Sequence, residues 1–490
     1  MSRHAKLLSV ITVVFFALSL LAVNAAPGID AVNPLKSQVA EAATTPKYVF
    51  YFIGDGLGAS QRQVAEYFLR EKTGNKNAKL KMNQLPVAGI NTTHSADSLV
   101  TDSAAAGTAL AAGYKTNNGM ISVLPSGTKV KTLMEAAEDK GMGTGIISTT
   151  RLTHATPAVF AAHNKNRNNE NEIAVDFLDS GVDFFAGGGY RHFVPQDWQW
   201  GKSKREDGRN VVEEFAAQGY EVFVGNKNGA QDFKSFNPTG QDKVFAAFTY
   251  SHMPYEVDRV NTNNKVPSLA EITDKGIDSL EKYPNGFFMM IEGGRIDHAC
   301  HANDPAGAIH DTLAFDEAVK EAYEFYQEHP HDTLIVVVGD HETGGMGLGF
   351  GKNYFLKMNE LVDVKVSVDD TLEGKYEELG REAFFKYISN NLGLDNLSAG
   401  EKAEIEKAMN LVDQGVDTGN TYGGYDPVAI ACTHVVSERA NLYWTTYAHS
   451  GTSIPMSTVG DEASAFSGYK DNTEIAKAMA GVMNFKLSVH

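Results

Sequence analysis

Five side chains able to bind a metal or transfer a proton stand within ten residues of this chain: Glu292, Asp297, His298, Cys300 and His301. The apolar run 287–291 directly before them predicts a buried strand. Asp297 and His301 are four residues apart, so one helical turn would place both on one face. Zinc accepts the oxygen and nitrogen atoms that these two side chains offer. The alternative interpretation of the segment is a solvated helix start capped by an aspartate.

Three further segments have the same form, a short apolar run that ends in polar residues. They are 48–53 followed by Asp55, 334–338 followed by Asp340 and His341, and 145–147 followed by His154 and Thr156. A single junction of this kind means little, because Asp is a common turn and N-cap residue. Four such junctions predict a site assembled at the carboxyl edge of one sheet, where α/β enzymes present their functional side chains.

Ser103 is the candidate nucleophile. The run 104–112 after it is a strong helix former, so Ser103 would lie in the first helical turn. The free N–H groups and the dipole of a helix N-terminus favour an alkoxide or a phosphoryl group there. No Gly-x-Ser-x-Gly elbow surrounds this serine, which disfavours an α/β-hydrolase triad, but a bound metal can activate a serine without a histidine base. The alternative is that Asp102 or Ser103 serves only as an N-cap.

Six blocks of the chain together resemble the metal-dependent (zinc and magnesium) alkaline phosphatases of bacteria, in that family's order. The blocks are 54–56, 102–104, 154–157 with Arg167 downstream, 292–301, 339–342 and 444–449. The resemblance implies an α/β fold, with a mixed and mostly parallel central sheet flanked by helices. It also implies hydrolysis of phosphate monoesters through a phosphoserine, with two zinc ions and one magnesium ion per chain, in a homodimer.

The same resemblance assigns a role to each matched residue. Ser103 is the nucleophile, and Arg167 clamps two phosphate oxygens through its planar fork. The implied ligands are Asp297, His301 and His449 for the first zinc, Asp55, Asp340 and His341 for the second, and Asp55, Thr156 and Glu292 for magnesium. Three residues are expected just outside the metal ligands: His154, His298 and Asp102. Two zinc ions so placed would stabilise the attacking and the leaving oxygen.

Two positions depart from the pattern of some bacterial members. His154 and His298 stand where those members carry Asp and Lys. An imidazole suits zinc or cobalt better than magnesium, whereas two carboxylates and a hydroxyl favour magnesium. We therefore expect magnesium at the third site, with His154 outside its ligand shell.

Alternatives remain open for three residues. His434 also follows an apolar stretch, so spacing alone does not separate it from His449, and Arg151 competes with Arg167. Cys300 could ligate zinc by type, although a small packed thiol is the more common role.

The chain has 61 acidic and 43 basic residues, for a formal net charge of −18. This balance argues against a nucleic-acid-binding surface and against binding to anionic membranes. We expect small phosphate monoesters as the substrates. The rival functions are a phosphodiesterase or sulfatase of the same superfamily, and an exported metal- or phosphate-binding protein without turnover.

The N-terminus predicts export. Basic residues precede an apolar core and a small-residue cleavage site, so residues 1–25 are expected to be a signal peptide and 26–46 a linker. The apolar core is short for a membrane span, so we expect no stable span and a periplasmic or extracellular location. Cys300 and Cys432 are the only cysteines, and no structural disulfide is expected.

Residues 47–490 are predicted to form one catalytic domain. Within it, 351–435 is expected to be an α-rich insertion that covers the site or mediates dimer contacts, with helical patterns over 376–392 and 398–411. Ser398 and Glu401 predict a capping box. The stretch 184–267, rich in Gly, Asn and Asp, is expected to form loops and short elements over the site.

Overall fold

The computed structural model describes residues 45–225, 228–262 and 264–490. The predicted signal peptide and most of the predicted linker lie outside these ranges. No helix within them is long and apolar enough to cross a lipid bilayer.

The described residues form fourteen strands. They are β1 Tyr48–Gly54, β2 Val87–Asn91, β3 Gly143–Arg151, β4 Phe184–Gly188, β5 Glu221–Val224, β6 Val244–Ala247, β7 Phe287–Gly293, β8 Thr333–Gly339, β9 Glu342–Thr343, β10 Gly347–Leu348, β11 Leu442–Tyr443, β12 His449–Ser450, β13 Ile454–Val459 and β14 Gly468–Lys470.

Helices separate most of these strands, singly or in groups. They are α1 Ala59–Thr73, α2 Ser103–Ala112, α3 Leu133–Glu138, α4 Ala155–Ala161, α5 Glu170–Asp179, α6 Val211–Ala217, α7 Gly229–Ser235, α8 Glu256–Asn261, α9 Leu269–Leu280, α10 Arg295–His301, α11 Pro305–Glu328, α12 Lys375–Leu379, α13 Arg381–Leu392, α14 Ala399–Asp413, α15 Pro427–Ala440 and α16 Asn472–Met483.

Ten of the strands form one sheet in the order β14-β2-β13-β8-β1-β7-β3-β4-β6-β5. The seven strands from β8 to β5 run parallel, whereas β13 is antiparallel to its neighbours β8 and β2. The mixed, mostly parallel sheet that the sequence predicts is therefore confirmed. Gly54 pairs with both Gly293 and Gly339. The residues that follow β1, β7 and β8 consequently emerge at one level of the same edge.

Each face of the sheet is covered by its own apolar core, because the side chains of a strand point alternately to opposite faces. Phe50 and Phe52 of β1 belong to one cluster of buried residues. Tyr51 and Ile53 belong to the other. All seven residues of β1 are buried, as is expected for a central strand with helices packed on both faces.

The segment 351–435 packs its helices on the first of these two cores, to which Phe384 and Ile405 belong. α14 begins at the predicted capping box, with Ser398 and Glu401 each accepting the other's backbone N–H. The helix expected over 376–392 is divided into α12 and α13 at Gly380, whose φ of 73° interrupts the helical backbone. The sequence pattern could not show this break, because the apolar spacing continues across it.

The stretch 184–267 does more than cover the site. Its short elements include β4, β5 and β6, which extend the main sheet to its far edge. Strands of four or five residues give little periodicity, so their place in the sheet could not be predicted from the sequence.

Candidate active site and metal-binding centre

The ends of β1 and β8 bring the first cluster of ligand atoms together. Nε2 of His341 lies 3.2 Å from Oδ1 of Asp55 and 3.4 Å from Oδ2 of Asp340. All three side chains are buried. The three residues form one of the groups whose ligand atoms are close enough to hold a single metal ion. This is the ligand set that the resemblance implies for the second zinc.

The second cluster joins α10 to β12. Nε2 of His301 lies 3.4 Å from Oδ2 of Asp297, as the four-residue spacing on one helix predicts, and 3.1 Å from Nε2 of His449. His449 in turn lies 3.6 Å from Oδ1 of Asp297. The ring of His341 stacks on that of His449 with centroids 3.6 Å apart, and His341 also shares a candidate metal-binding group with Asp297 and His449. The first and second clusters are therefore contiguous.

The third cluster lies on the other side of Asp55. Asp55, Glu292 and His154 form a further candidate metal-binding group, and Oγ1 of Thr156 donates to Oδ2 of Asp55 at 3.3 Å. Ser148 and Thr150 of β3 donate to Oε2 of Glu292. The structure therefore places the imidazole of His154 among the oxygen atoms of this cluster, nearer than the sequence interpretation expects.

Ser103 is the first residue of α2, and Asp102 is the N-cap of that helix. The Asp102 carboxylate accepts the backbone N–H of Ala105 at 3.0 Å. The hydroxyl oxygen of Ser103 lies 3.2 Å from Nε2 of His341. The alternative interpretation of the sequence is that Asp102 or Ser103 serves only as an N-cap. In the structure Asp102 is the cap. Ser103 is thereby left at the helix start with its side chain on the metal-binding cluster.

Arg167 reaches the same place from the loop before α5. Its Nη1 donates to Oδ2 of Asp102 at 3.0 Å, and its Nη2 lies 3.1 Å from Nε2 of His154. The competing Arg151 is instead paired with Glu170 at 2.7 Å.

The two other open alternatives lie at the margin of these clusters. His434, on α15, contacts the hydroxyl of Tyr447 at 3.2 Å, whereas His449 lies among the ligand atoms. Cys300 is buried, and its sulfur accepts from the amide of Gln61 at 3.7 Å. Cys432 is also a free, buried thiol.

The carboxylates lie close together in a buried, anionic centre, which shifts their pKa values. Burial, then repulsion from neighbouring carboxylates, raises the pKa of Asp55 and of Asp340 well above the usual value. Burial raises the pKa of Glu292 to about 7. Burial acts in the same direction on Asp297, but the imidazoles of His301 and His449 outweigh it and hold the pKa of Asp297 well below its usual value. A cation bound here would favour the charged form of every one of these groups.

The pKa values of the histidines shift in opposite directions, depending on the groups that surround each ring. Burial lowers the pKa of His341, His154 and His298 well below the usual value. Burial also disfavours the charged form of His301, but Asp297 outweighs it and raises the pKa of His301 to about 9. A neutral imidazole is the form that ligates a metal, so a cation at Asp297 would compete with the proton on His301.

Four buried polar atoms in these clusters have no hydrogen-bond partner within ranges 45–225, 228–262 and 264–490: Oδ1 of Asp55, Oδ2 of Asp340, Oε1 of Glu292 and Nδ1 of His154. An unpaired carboxylate oxygen inside a protein is costly unless it coordinates a cation. The donor set is oxygen and imidazole nitrogen, which suits zinc at the first two clusters, and it is richest in oxygen at the third. The residues present therefore fit metal cofactors.

Several groups that orient the ligands could not be recognised from the sequence. Nδ1 of His301 contacts the backbone oxygen of Tyr447 at 2.6 Å, and Nδ1 of His449 contacts that of Thr101 at 2.7 Å. These contacts place the ring proton on Nδ1 and leave the lone pair of Nε2 available for a metal. Backbone oxygens carry no sequence signal. The hydroxyl of Thr343, which donates to Asp297, follows the 339–342 block and could have been considered.

Comparison with known proteins gives a consistent result. The family model for alkaline phosphatase matches residues 46–485. Alkaline phosphatase 3 of Bacillus subtilis (strain 168) is 32% identical over 99% of this chain and 98% of its own length. The crystal structure of Thermus thermophilus alkaline phosphatase is 28% identical, with a TM-score of 0.78 over 93% of this chain and 96% of that one.

A third relative bears on the metals. It is the alkaline phosphatase of the Antarctic bacterium TAB5, in a mutant with one histidine changed to aspartate and with Mg bound in the site called M3. That structure is 28% identical to this chain, with a TM-score of 0.62 over 91% of this chain and 99% of its own. From the motifs, the fold and these matches, the chain belongs to the alkaline phosphatase family, and it is a hydrolase of phosphate monoesters.

Proposed function

We propose that this chain hydrolyses phosphate monoesters through a phosphoserine at Ser103, with two zinc ions and one magnesium ion per chain. The observation that carries the proposal is the position of the Ser103 hydroxyl. It stands at a helix N-terminus, 3.2 Å from His341, within a buried cluster of carboxylates that have unpartnered oxygen atoms. A phosphate monoester is dianionic, so positive groups are required at such a place to balance the charge on its oxygen atoms.

The bonds change in two steps. The oxygen of Ser103 loses its proton to solvent and forms a bond to phosphorus, while the bond from phosphorus to the alcohol oxygen breaks with its electron pair on that oxygen, which takes up a proton and leaves as the alcohol. Water then loses a proton and forms the second phosphorus–oxygen bond, the bond to Ser103 breaks, the Ser103 oxygen regains a proton, and inorganic phosphate leaves. The free N–H groups at the start of α2 favour the negative charge that develops on the attacking oxygen. Cations bound at the clusters supply Lewis acidity to the attacking and leaving oxygens.

Arg167 is the proposed clamp for the phosphoryl group. Its Nη1 contacts Asp102, the residue directly before Ser103, and its Nη2 contacts His154. The guanidinium is therefore held next to the start of the helix that carries Ser103. A phosphoryl group with two oxygens toward Arg167 would receive two parallel hydrogen bonds. Asp102 would hold the guanidinium in the plane that this requires.

The proposed zinc ligands are the members of the first two clusters: Asp55, Asp340 and His341, and Asp297, His301 and His449. Magnesium is proposed at the third, with Asp55, Thr156 and Glu292 as ligands. Support for magnesium comes from the oxygen atoms of Asp55, Thr156 and Glu292, which form an oxygen-rich donor set. The contact between Arg167 and Nε2 of His154 supports a position of His154 outside the ligand shell, because a guanidinium only donates and so occupies that nitrogen's lone pair.

Export and self-association belong to the same proposal. The predicted signal peptide of residues 1–25 supports secretion to the periplasm or beyond, and the resemblance to the family supports a homodimer. Mass measurement of the secreted protein would give the cleavage point. Light scattering would give the number of chains in the assembly.

The discriminating experiment compares p-nitrophenyl phosphate with bis-p-nitrophenyl phosphate, with zinc and after chelation. The proposal expects fast, zinc-dependent hydrolysis of the monoester and slow hydrolysis of the diester. Preference for the diester would identify a phosphodiesterase. Tight binding of phosphate without turnover of either ester would identify a binding protein.

A further inference from the structure

Arg295 is the largest fully buried side chain among the described residues, and the proposed mechanism does not use it. It is the first residue of α10, the helix that carries Asp297 and His301. Its Nη1 lies 3.0 Å from Nδ1 of His298, and its Nη2 donates to Oδ2 of Asp370 at 2.5 Å. A buried charge is retained only where it is paired, so these contacts define what the guanidinium does.

The contact with His298 fixes where that imidazole carries its proton. A guanidinium has five donors and no acceptor, so Nδ1 of His298 must accept. The neutral ring then carries its proton on Nε2. Among the described residues Nε2 has no hydrogen-bond partner, and it is not one of the enclosed polar atoms. The ring lies 5.5 Å from that of His154, which contacts Arg167. His298 thus offers a free N–H beside the proposed phosphate clamp.

Arg295 is itself held in place by two elements. The ring of Tyr255 lies under the guanidinium, 3.5 Å from its central carbon, so the charge stacks on an aromatic face. Asp370 belongs to a single helical turn, 368–372, in the predicted insertion. Asp369 of the same turn accepts the hydroxyl of Tyr255 at 3.4 Å.

That turn is anchored on buried carboxylates near the metal-binding helix. The backbone N–H of Ser367 donates to Asp258 at 2.8 Å, and that of Val368 donates to Asp304 at 3.0 Å. Asp304 is also the N-cap of α11, directly after α10. The inserted segment therefore presents Asp370 to Arg295 from a fixed position.

We propose that Arg295 is a positioning residue for phosphate binding. It holds His298 with the Nε2–H as a donor to a phosphoryl oxygen, and Asp370 of the inserted segment fixes Arg295 in turn. The inserted segment thereby contributes to phosphate affinity without touching the substrate. This inference rests on the proposed function, because it requires the phosphoryl group to bind beside Ser103.

The test is a double-mutant cycle in the metal-loaded enzyme, with the competitive inhibition constant of inorganic phosphate as the readout. Arg295→Lys keeps the charge but loses the fork, and we expect the inhibition constant to rise about tenfold, the scale of one hydrogen bond to a charged group. In a His298→Ala background the same change should have little effect, because the imidazole through which Arg295 acts on phosphate has been removed. Arg439→Lys, which removes a similar fork from Glu401 in α14, should leave the constant unchanged.

A second cycle tests the inserted segment and remains informative if Arg295→Lys fails to fold. The side chain of Asp370 is 41% exposed, so Asp370→Asn is tolerated sterically, and it should weaken phosphate binding about threefold. That effect should disappear in the His298→Ala background. Asp413→Asn, which breaks the pair with Arg381 in the same segment, is the matched control.

The outcomes separate this inference from the proposed function. Additive effects in either cycle, or unchanged phosphate inhibition in both Arg295→Lys and Asp370→Asn, would overturn the role of Arg295 alone. A wild-type enzyme that neither hydrolyses the monoester nor binds phosphate would overturn the proposed function instead.

Discussion

The hydroxyl oxygen of Ser103 lies 3.2 Å from Nε2 of His341, and the same nitrogen faces Asp55 at 3.2 Å and Asp340 at 3.4 Å. In a Ser-His-Asp triad the carboxylate orients the opposite ring nitrogen. Here the opposite nitrogen, Nδ1, contacts the hydroxyl of Thr343. The serine, the imidazole and both carboxylates thus converge on one point, which is the geometry of a shared cation and not that of a general base.

The first prediction concerns this serine. Ser103→Ala should keep the fold and the metals but lose the covalent phosphoenzyme, because the substitution removes the oxygen atom that would bond to phosphorus. Activity should fall at least about 10³-fold, with residual hydrolysis from the remaining binding groups. Acid quenching with labelled phosphate, followed by mass spectrometry, measures the phosphoenzyme. Label on the mutant, or none on the wild type, would contradict the assignment.

The second prediction concerns the zinc pair. Fully active protein should contain two zinc ions per chain, and chelation should abolish activity until zinc is restored. Chelation should also lower the melting temperature, because a ligand that binds only the folded chain stabilises it. Elemental analysis and calorimetry of the same samples test both statements. Full activity with fewer than two transition-metal ions per chain would refute the pair.

The third prediction uses two glycines with similar backbones. Gly56 has a φ of 73°, and a Cβ built there would lie 2.8 Å from Cα of Asp297. Gly74, at the end of α1, has a φ of 66° and open space around it. Gly56→Ala should displace α10 from β1 and weaken zinc binding, whereas Gly74→Ala should cost only about 1–2 kcal/mol of backbone strain. Zinc titrations of activity would distinguish the two, and equal zinc affinity in both variants would refute the contact.

The fourth prediction concerns acid stability. Glu401 accepts Arg439 at 2.7 Å, and this hydrogen bond holds the pKa of Glu401 down from 4.5 to about 2. A depressed pKa contributes stability above the unfolded value that is lost as the pH falls toward the folded one. Glu401→Gln should therefore destabilise the chain at neutral pH and flatten its loss of stability between about pH 4.5 and 2. Urea unfolding with Glu406→Gln as control measures this, and parallel pH curves for the two variants would disprove it.

The sequence predicts the parts of this molecule that depend on local pattern. The buried strands before Asp55, Asp340 and Glu292, the helical turn from Asp297 to His301, and the cap of α14 all follow from residues close together in the chain. The short strands β4, β5 and β6 and the break at Gly380 do not, because long-range pairing and a single positive φ leave no periodic signal.

The candidate site is likewise predictable from the sequence only in part. Residue types and their spacing in the sequence predict which residues could bind metals, but not the distances between them. For example, α10 and β12 are separated by more than a hundred residues of the chain. The role of Arg295 was not predictable either. Its partners His298, Asp370 and Tyr255 come from three separate segments, and only the fold brings them together.

The last prediction concerns the third metal. Nε2 of His154 is occupied by Arg167, whereas its Nδ1 is buried without a partner. Direct coordination through Nε2 would require that contact to break. Coordination through Nδ1 would require the ring proton to move to Nε2, where it would oppose the Arg167 donor. We therefore expect magnesium to be held by Asp55, Thr156 and Glu292.

Two substitutions follow from this arrangement. His154→Asp should tighten magnesium binding, because it adds a negative charge beside the cation. His154→Ala should leave magnesium bound with a modest loss of activity. Magnesium titrations of zinc-loaded enzyme measure the affinity, and anomalous scattering at the zinc edge identifies the ion. Full zinc occupancy of this site in protein purified with magnesium present would contradict the assignment of magnesium, and loss of that zinc in His154→Ala would then identify the imidazole as a ligand.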